Sequence, residues 1–235
     1  ISDINLTYSQ IAREYLIMEN FPPDQIINTG SPMKEVLTYY EKKIQKSQIL
    51  KELNINSDDY FLFSFHREEN VDSKENLTKI IEIMSAVVKQ FSKKIIVSTH
   101  PRTKDRIENL NISHSEEIIF LKPFCFTDYI NLQLNSRCVI SDSGTITEES
   151  SILGFRALNL REVNERPEGF EEGAVIMTGL EKDIFMNSLD ALLDGDNQNH
   201  LIDVVYDYDT TSVSEKILRI ILSYTNYINK KVWKK

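Results

Sequence analysis

The sequence predicts an α/β protein built on a parallel sheet with helices on both faces. Two observations carry this. Short, wholly apolar runs at residues 60–63, 95–97, 118–121 and 139–140 have the length of strands and no polar alternation, so both of their faces must be covered. Between them lie segments of helical spacing, clearest over residues 74–91, where Leu77, Ile80, Ile81, Met84, Val87 and Val88 share one face. Alternating strand and helix calls for parallel pairing through crossover helices. Ligands of such sheets bind outside the carboxyl ends of the strands, so the polar residues that follow each strand are the informative ones.

Taken in order, residues 4–7 read as a strand and 9–18 as a helix with Ile11, Tyr15 and Met18 on one side. Phe21-Pro22-Pro23-Asp24 breaks that helix. A short strand at Ile26-Ile27, a turn at Thr29-Gly30-Ser31-Pro32 and a helix over 33–40 follow, and 41–59 reads as a polar linker. The regular region then runs: strand 60–64, helix 74–91, strand 95–97, helix 104–110, strand 118–121, helix 126–134, strand 139–140. Further strands are expected at 156–160 and 174–177, and helices at 183–193 and 213–228. Gly169 and Gly173 bracket a turn and a short helix.

A chain of 235 residues, 41% hydrophobic and 27% charged, has the profile of a globular protein with a real core. A net charge of -9, with no stripe of Lys and Arg interleaved with aromatics, excludes nucleic acid as the expected partner. Cys125 and Cys138 lie outside any CxxC spacing, which predicts neither a disulfide framework nor a zinc site and suits a reducing compartment. No apolar run reaches membrane-spanning length, and no membrane partner is expected. There is no GxGxxG and no Walker motif. The chain opens without Met, as if inside a strand, and is expected to be a fragment.

The densest chemistry sits after the strands. Ser141-Asp142-Ser143-Gly144-Thr145 joins the run Cys138-Val139-Ile140 to Glu148-Glu149-Ser150-Ser151-Ile152-Leu153, read as the first turns of a helix. A strand, a small-residue turn and a helix N-terminus present free N–H groups and a positive dipole end to an anion such as phosphate. Ser143 and Gly144 let a ligand approach the backbone, and Glu148 and Glu149 could accept from ribose hydroxyls. The same residues also read as an ordinary capped helix.

After residues 60–64 comes Phe65-His66-Arg67-Glu68-Glu69-Asn70, where His66 can exchange a proton near neutral pH and Arg67 can pair with a phosphate or carboxylate. A salt-bridged loop is the plainer reading. His100, in Ser98-Thr99-His100-Pro101, sits at the equivalent height after the next strand and reads first as a structural turn histidine. Phe124 and Phe126 read as a helix staple more readily than as clamps on a flat base. The loop from Arg161 through Glu162, Glu165, Arg166 and Glu168 holds more charge than a loop needs unless it organises something.

Three of these motifs, His66-Arg67-Glu68-Glu69-Asn70, Ser141-Asp142-Ser143-Gly144 through Glu148-Glu149, and Arg161 through Glu165-Arg166-Pro167-Glu168, together resemble the non-hydrolysing UDP-N-acetylglucosamine 2-epimerases in order and spacing. The His66–Asn70 wording and the ending Ser223-Tyr224-Thr225-Asn226-Tyr227-Ile228-Asn229 with Val232-Trp233 look closest to the branch that makes UDP-N-acetyl-L-fucosamine for capsule or O-antigen.

The resemblance implies a Rossmann-like domain that forms one half of a glycosyltransferase-B-like two-domain fold. Residues 1–45 would be an inter-domain segment, 46–205 the carboxyl-terminal UDP-binding domain, and 206–235 a helix packing on an absent amino-terminal domain that carries the acidic catalytic residues. It implies UDP and a UDP-N-acetylhexosamine as ligands, cytoplasmic location, a homodimer, and no metal or nicotinamide cofactor. The implied reaction eliminates UDP to a 2-acetamidoglycal, re-adds it and inverts C2. On that pattern Ser143 and Gly144 hold the diphosphate, Glu149 and Glu148 the ribose, and Arg161 and Arg166 line the cleft. His66 lies near the sugar as the catalytic candidate, and Arg67 and His100 match contacts of a second, regulatory UDP-sugar. The family's usual Gly-Ile-Gln after Ser143-Gly144 is Thr145-Ile146-Thr147 here. A glycosyltransferase of similar architecture and a non-catalytic UDP-sugar module are the competing readings. The fragment by itself is expected to be inactive.

Overall fold

The computed structural model describes residues 2–99, 101–109, 114–194 and 203–235, with the side chains of 101, 102, 108 and 109 excepted. It divides into two compact units, Ile1–Tyr40 with Val204–Lys235, and Glu41–Asp203.

In the first unit, β1 (Asn5–Thr7) pairs in parallel with β2 (Ile26–Asn28) through α1 (Gln10–Met18). Ser9 caps α1, its hydroxyl accepting from the Ala12 amide at 3.2 Å. Gly30 then turns the chain at φ +78°, and a Cβ there would lie 2.6 Å from Thr210 Cγ2. Glycine is needed at this position for both reasons.

Helix α2 (Met33–Gln45) runs five residues past the expected end at 40, and α3 (Ile49–Glu52) follows it. The expected linker at 41–59 is therefore largely ordered structure. Its many charges hide a thin apolar set: Ile44 and Ile49 are buried, and Leu50, Leu53 and Ile55 pack on the same core as Ile49.

The larger unit continues with β3 (Tyr60–Ser64), α4 (Glu68–Val71), α5 (Lys74–Phe91), β4 (Lys94–Ser98), α6 (Pro101–Asn109), β5 (Ile118–Leu121), α7 (Phe126–Asn135), β6 (Cys138–Ser141), α8 (Thr145–Leu153), β7 (Ala157–Asn159), α9 (Pro167–Glu171), β8 (Ile176–Met177) and α10 (Lys182–Leu193). Helix α11 (Val213–Lys231) returns the chain to the first unit. No described helix is long and apolar enough to cross a membrane.

Strands β3 to β8 form one six-stranded sheet in the order β5-β4-β3-β6-β7-β8, every pair parallel. Alternate residues feed opposite cores. Phe61, Phe63, Ile95, Val97 and Ile140 pack with Leu77, Ile80, Ile81 and Met84 of α5 and Phe185 of α10. Tyr60, Leu62, Ile96 and Val139 pack with Leu132 of α7, Ile146 of α8 and Ile49 of α3. Covering both faces is what makes the middle of these strands apolar, while β3, β4 and β6 each end in serine.

The strand order reverses between β3 and β6, and Ser64 pairs with Ser141 there. This is the topological switch point, where the loops leaving adjacent strands diverge and open a crevice.

Three expectations shift. Helix α8 starts at Thr145, not at Glu148, because Gly144 is already helical at φ -69°, ψ -31°. The strand expected at 174–177 shrinks to Ile176–Met177, since the Ala174 amide bonds the carbonyl of Gly169 within α9 instead. Residues 68–71, read as loop, form the single turn α4.

The Tyr60 hydroxyl is fully buried and donates to the Leu132 carbonyl at 2.6 Å, tying β3 to α7. Tyr60→Phe strands that carbonyl and should cost about 1–2 kcal/mol in denaturant unfolding. An unchanged midpoint and slope would mean that the bond adds nothing to stability.

Candidate functional site

The crevice at the switch point is organised by Asp142, the residue immediately after β6. Its side chain is wholly buried and accepts from the His66 amide at 3.1 Å, the Arg67 amide at 3.1 Å and Asn70 Nδ2 at 3.0 Å. A buried carboxylate is tolerated when donors surround it, and bonds to a charged acceptor are the strong ones. The loop leaving β3 is thus wrapped around the loop leaving β6. His66 Nδ1 lies 3.4 Å from Asp142 Oδ1, and the imidazole is otherwise exposed. Sequence reasoning passed over Asp142. The signal was available: an acidic residue follows directly on the buried strand Cys138–Ser141 and precedes a Ser-Gly turn.

Ser143 and Gly144 form the turn into α8. The Ser143 amide bonds Ser141 Oγ at 3.0 Å, and Ser143 Oγ lies 3.0 Å from Thr145 Oγ1. A Cβ on Gly144 would sit 3.4 Å from Glu165 Oε2 and 3.7 Å from Arg161 Nη1. The Arg161–Glu165 pair therefore lies in ordinary contact distance of the first turn of α8.

Arg161 follows β7 and is 4% exposed. Its Nη2 pairs with Glu165, while Nε and Nη1 are buried with no hydrogen-bond partner among the described residues. Thr147 Oγ1, in the same small cleft, is likewise buried and unpartnered. Arg67 Nη1 reaches Glu165 at 3.1 Å and its Nε reaches Glu69 at 2.9 Å. Glu165 therefore sits between two guanidinium groups, and Arg161 first among them holds its carboxyl down at about 2. The charges of this loop form a network of paired arginines and glutamates that leaves spare Arg161 donors beside a helix N-terminus. Such an arrangement can hold an anion.

Arg166 Nε bonds Glu148 Oε2 at 3.4 Å, and Glu148 is buried. Glu149 is buried one residue further on, where Gln133 Nε2 donates to it at 2.6 Å. Burial pushes its carboxyl up to about 7, against the pull of Gln133 and the Thr145 hydroxyl, and the neighbouring Glu148 pushes the same way as burial. Of the candidates, His66, Arg67, Ser143, Gly144, Arg161 and Arg166 gather around the crevice with Glu148, while Glu149 lies beneath it against α7. His100 is outside the described residues. Phe124 is partly buried against the core that holds Leu132 and Ile146. Among the described residues, no group of three or more His, Cys, Asp or Glu is placed to hold a metal ion.

A parallel sheet in this strand order, with loops converging at its switch point on a helix N-terminus, defines a Rossmann-like domain. The family model described as UDP-N-acetylglucosamine 2-epimerase matches residues 1–222. The UDP-N-acetylglucosamine 2-epimerase of Methanocaldococcus jannaschii is 31% identical over 201 residues, 82% of this chain and 55% of the relative. The structure of the UDP-N-acetylglucosamine 2-epimerase from Rickettsia bellii superimposes with a TM-score of 0.91 at 41% identity, covering 100% of this chain and 63% of that one. The Methanocaldococcus jannaschii enzyme in complex with UDP-GlcNAc and UDP gives a TM-score of 0.85 at 29% identity, covering 94% and 61%.

The chain belongs to the UDP-N-acetylglucosamine 2-epimerase family. Its fold class is that of the glycosyltransferase-B-like members, a Rossmann-like parallel sheet between helices. The chain spans about 55% of the length of the first curated relatives it matches.

Glu149 gives a pH test. Its carboxyl goes from 4.5 in its ordinary state to about 7 in the fold, so the native state holds the proton more tightly. Stability then falls as pH rises between those values and is flat above them. Glu149→Gln escapes that fall and should gain on wild type by up to ~3 kcal/mol between pH 5 and pH 8 in paired denaturation curves. A constant difference across that range would show that Glu149 ionises as freely as an exposed carboxylate.

Proposed function

We propose that this chain is the nucleotide-holding part of a UDP-N-acetylhexosamine 2-epimerase, which inverts C2 by eliminating UDP to a 2-acetamidoglycal and adding it back. Family membership supports the reaction class. The observation that carries the site is Arg161, a buried guanidinium with unpartnered N–H groups beside Gly144 at the start of α8.

The diphosphate sits at that N-terminus, held by the first-turn amides, the Ser143 hydroxyl, Arg161 and Arg166. On this reading Arg161, paired with Glu165 in the structure, turns to a phosphate oxygen when UDP binds. Elimination builds negative charge on the diphosphate oxygens as the C1–O bond breaks, and the return of UDP takes the same path backwards. Fixed donors aimed at those oxygens stabilise the partly charged transition state more than the intact UDP-sugar. Glu149 and Glu148 take the ribose hydroxyls. His66, at the mouth of the crevice, faces the sugar and the bridging oxygen as an acid–base or electrostatic group. Arg67 and His100 belong to a second UDP-sugar contact.

The relatives' greater length supports a further domain in the whole enzyme, which supplies the acidic groups that move the C2 proton. On this reading α11 packs against that domain, the enzyme is a cytoplasmic homodimer, and this chain alone does not turn over. The wording of residues 66–70 and 223–229 supports a role in precursor synthesis for capsule or O-antigen.

Calorimetric titration with UDP tests the site. Ser143→Ala should weaken binding by about 10- to 100-fold, the worth of a hydrogen bond to a charged group, and Arg161→Met by at least as much. Ribose donors favour the ionised form of Glu149, so binding near pH 6.5 should release a proton, read as a dependence of the heat on buffer ionisation enthalpy. Unaltered affinity in both variants would move the diphosphate away from α8. Separately, trapping of free 2-acetamidoglycal by the full-length enzyme supports epimerisation, and transfer of the sugar to an acceptor would replace it.

A further inference from the structure

Nothing above assigns a role to Asp142 beyond shaping the loop, yet its two oxygens are used unequally. Oδ2 accepts from the Arg67 amide at 3.1 Å and Asn70 Nδ2 at 3.0 Å, and shares the His66 amide at 3.1 Å. Oδ1 takes the other share of the His66 amide, at 3.1 Å, and is the atom 3.4 Å from His66 Nδ1. One edge of the imidazole is therefore set against a buried acceptor while the ring keeps 60% of its surface exposed.

We infer that Asp142 is the positioning residue for His66, holding the neutral ring as the Nδ1–H tautomer so that Nε2 is the atom offered to the ligand. A carboxylate can only accept. Against Oδ1 the ring gains by presenting N–H and loses by presenting a lone pair. An acceptor facing one ring nitrogen, here at 3.4 Å, favours the proton on that nitrogen. The same carboxylate fixes the backbone from which the ring hangs, through the His66 and Arg67 amides, so it sets both the place and the protonation pattern of the imidazole. Its value to catalysis rests on the UDP-sugar reading above; the tautomer itself does not.

The test exploits the asymmetry of the two oxygens. In Asp142→Asn the amide oxygen stays at the Oδ2 position, where two further donors converge, and the amide nitrogen takes the Oδ1 position against the ring. That nitrogen donates, so the ring must answer with a lone pair on Nδ1, and the proton moves to Nε2. Long-range nitrogen–proton correlation spectra of the full chain with labelled histidine, with His66 assigned by His66→Gln and recorded where the ring is neutral, read the tautomer directly. Wild type should show Nδ1–H, and Asp142→Asn should show Nε2–H with the amide fingerprint of the fold retained. Asn70→Ala removes a neighbouring donor but leaves the carboxylate, and should keep the wild-type tautomer.

Nε2–H in wild type overturns the inference, and this needs no variant to fold. An unchanged tautomer in Asp142→Asn, or a changed one in Asn70→Ala, overturns it as well. In the full-length enzyme, Asp142→Asn should lower kcat on the order of 10²-fold or more with KM within a few-fold, the pattern of a misdirected acid–base group. Equal losses in kcat/KM through KM alone would reduce Asp142 to a structural residue. Failure of UDP to bind wild type would remove the nucleotide reading and leave the tautomer result standing.

Discussion

A carboxylate wholly excluded from water has to find its donors in protein, and Asp142 finds them in the loop that leaves the neighbouring strand. That single requirement ties the carboxyl ends of β3 and β6 together at the point where the strand order reverses. A sheet covered on both faces leaves no place for polar chemistry except its ends. The crevice at the switch point is consequently where charge collects: His66 and Arg67 after β3, Asp142 and Ser143 after β6, Arg161 after β7. The helices around them are positioned by the two apolar cores and contribute their first turns.

Charge in the crevice is only partly matched. Glu165 answers Arg161 and Arg67, and Glu148 answers Arg166, yet Arg161 keeps buried N–H groups without a partner among the described residues. Burying a guanidinium with donors to spare costs stability that an apolar residue would not. The cost is repaid if an anion completes the set, and the helix N-terminus beside Gly144 favours the same occupant. Glu149 shows the opposite case: a carboxylate kept dry, with Gln133 as its close donor, has a raised affinity for its proton.

Much of the sheet was legible in the sequence because its strands are apolar on both faces and its helices amphipathic. The limits of β3 and α5 coincide with the runs 60–64 and 74–91, and the parallel arrangement follows from their alternation. Segment 41–59 was not legible, since two buried isoleucines among lysines and glutamates leave no periodic stripe. The start of α8 was missed for a related reason: Thr145, Ile146 and Thr147 are weak helix formers, held in the helix by the turn before them and by burial of Ile146. In the crevice, the residues that stand out by type were visible, but partners far apart in the chain were not. Glu165 closing on Arg67, and Asp142 reaching back to His66, Arg67 and Asn70, are products of the strand order, which one sequence read locally does not display.

A crystal structure of the full-length protein with UDP tests the central claim most directly. The diphosphate should lie within hydrogen-bonding reach of the first-turn amides of α8, with Arg161 turned from Glu165 to a phosphate oxygen. A diphosphate bound elsewhere, with the Arg161–Glu165 pair intact and the N-terminus of α8 unoccupied, would contradict it.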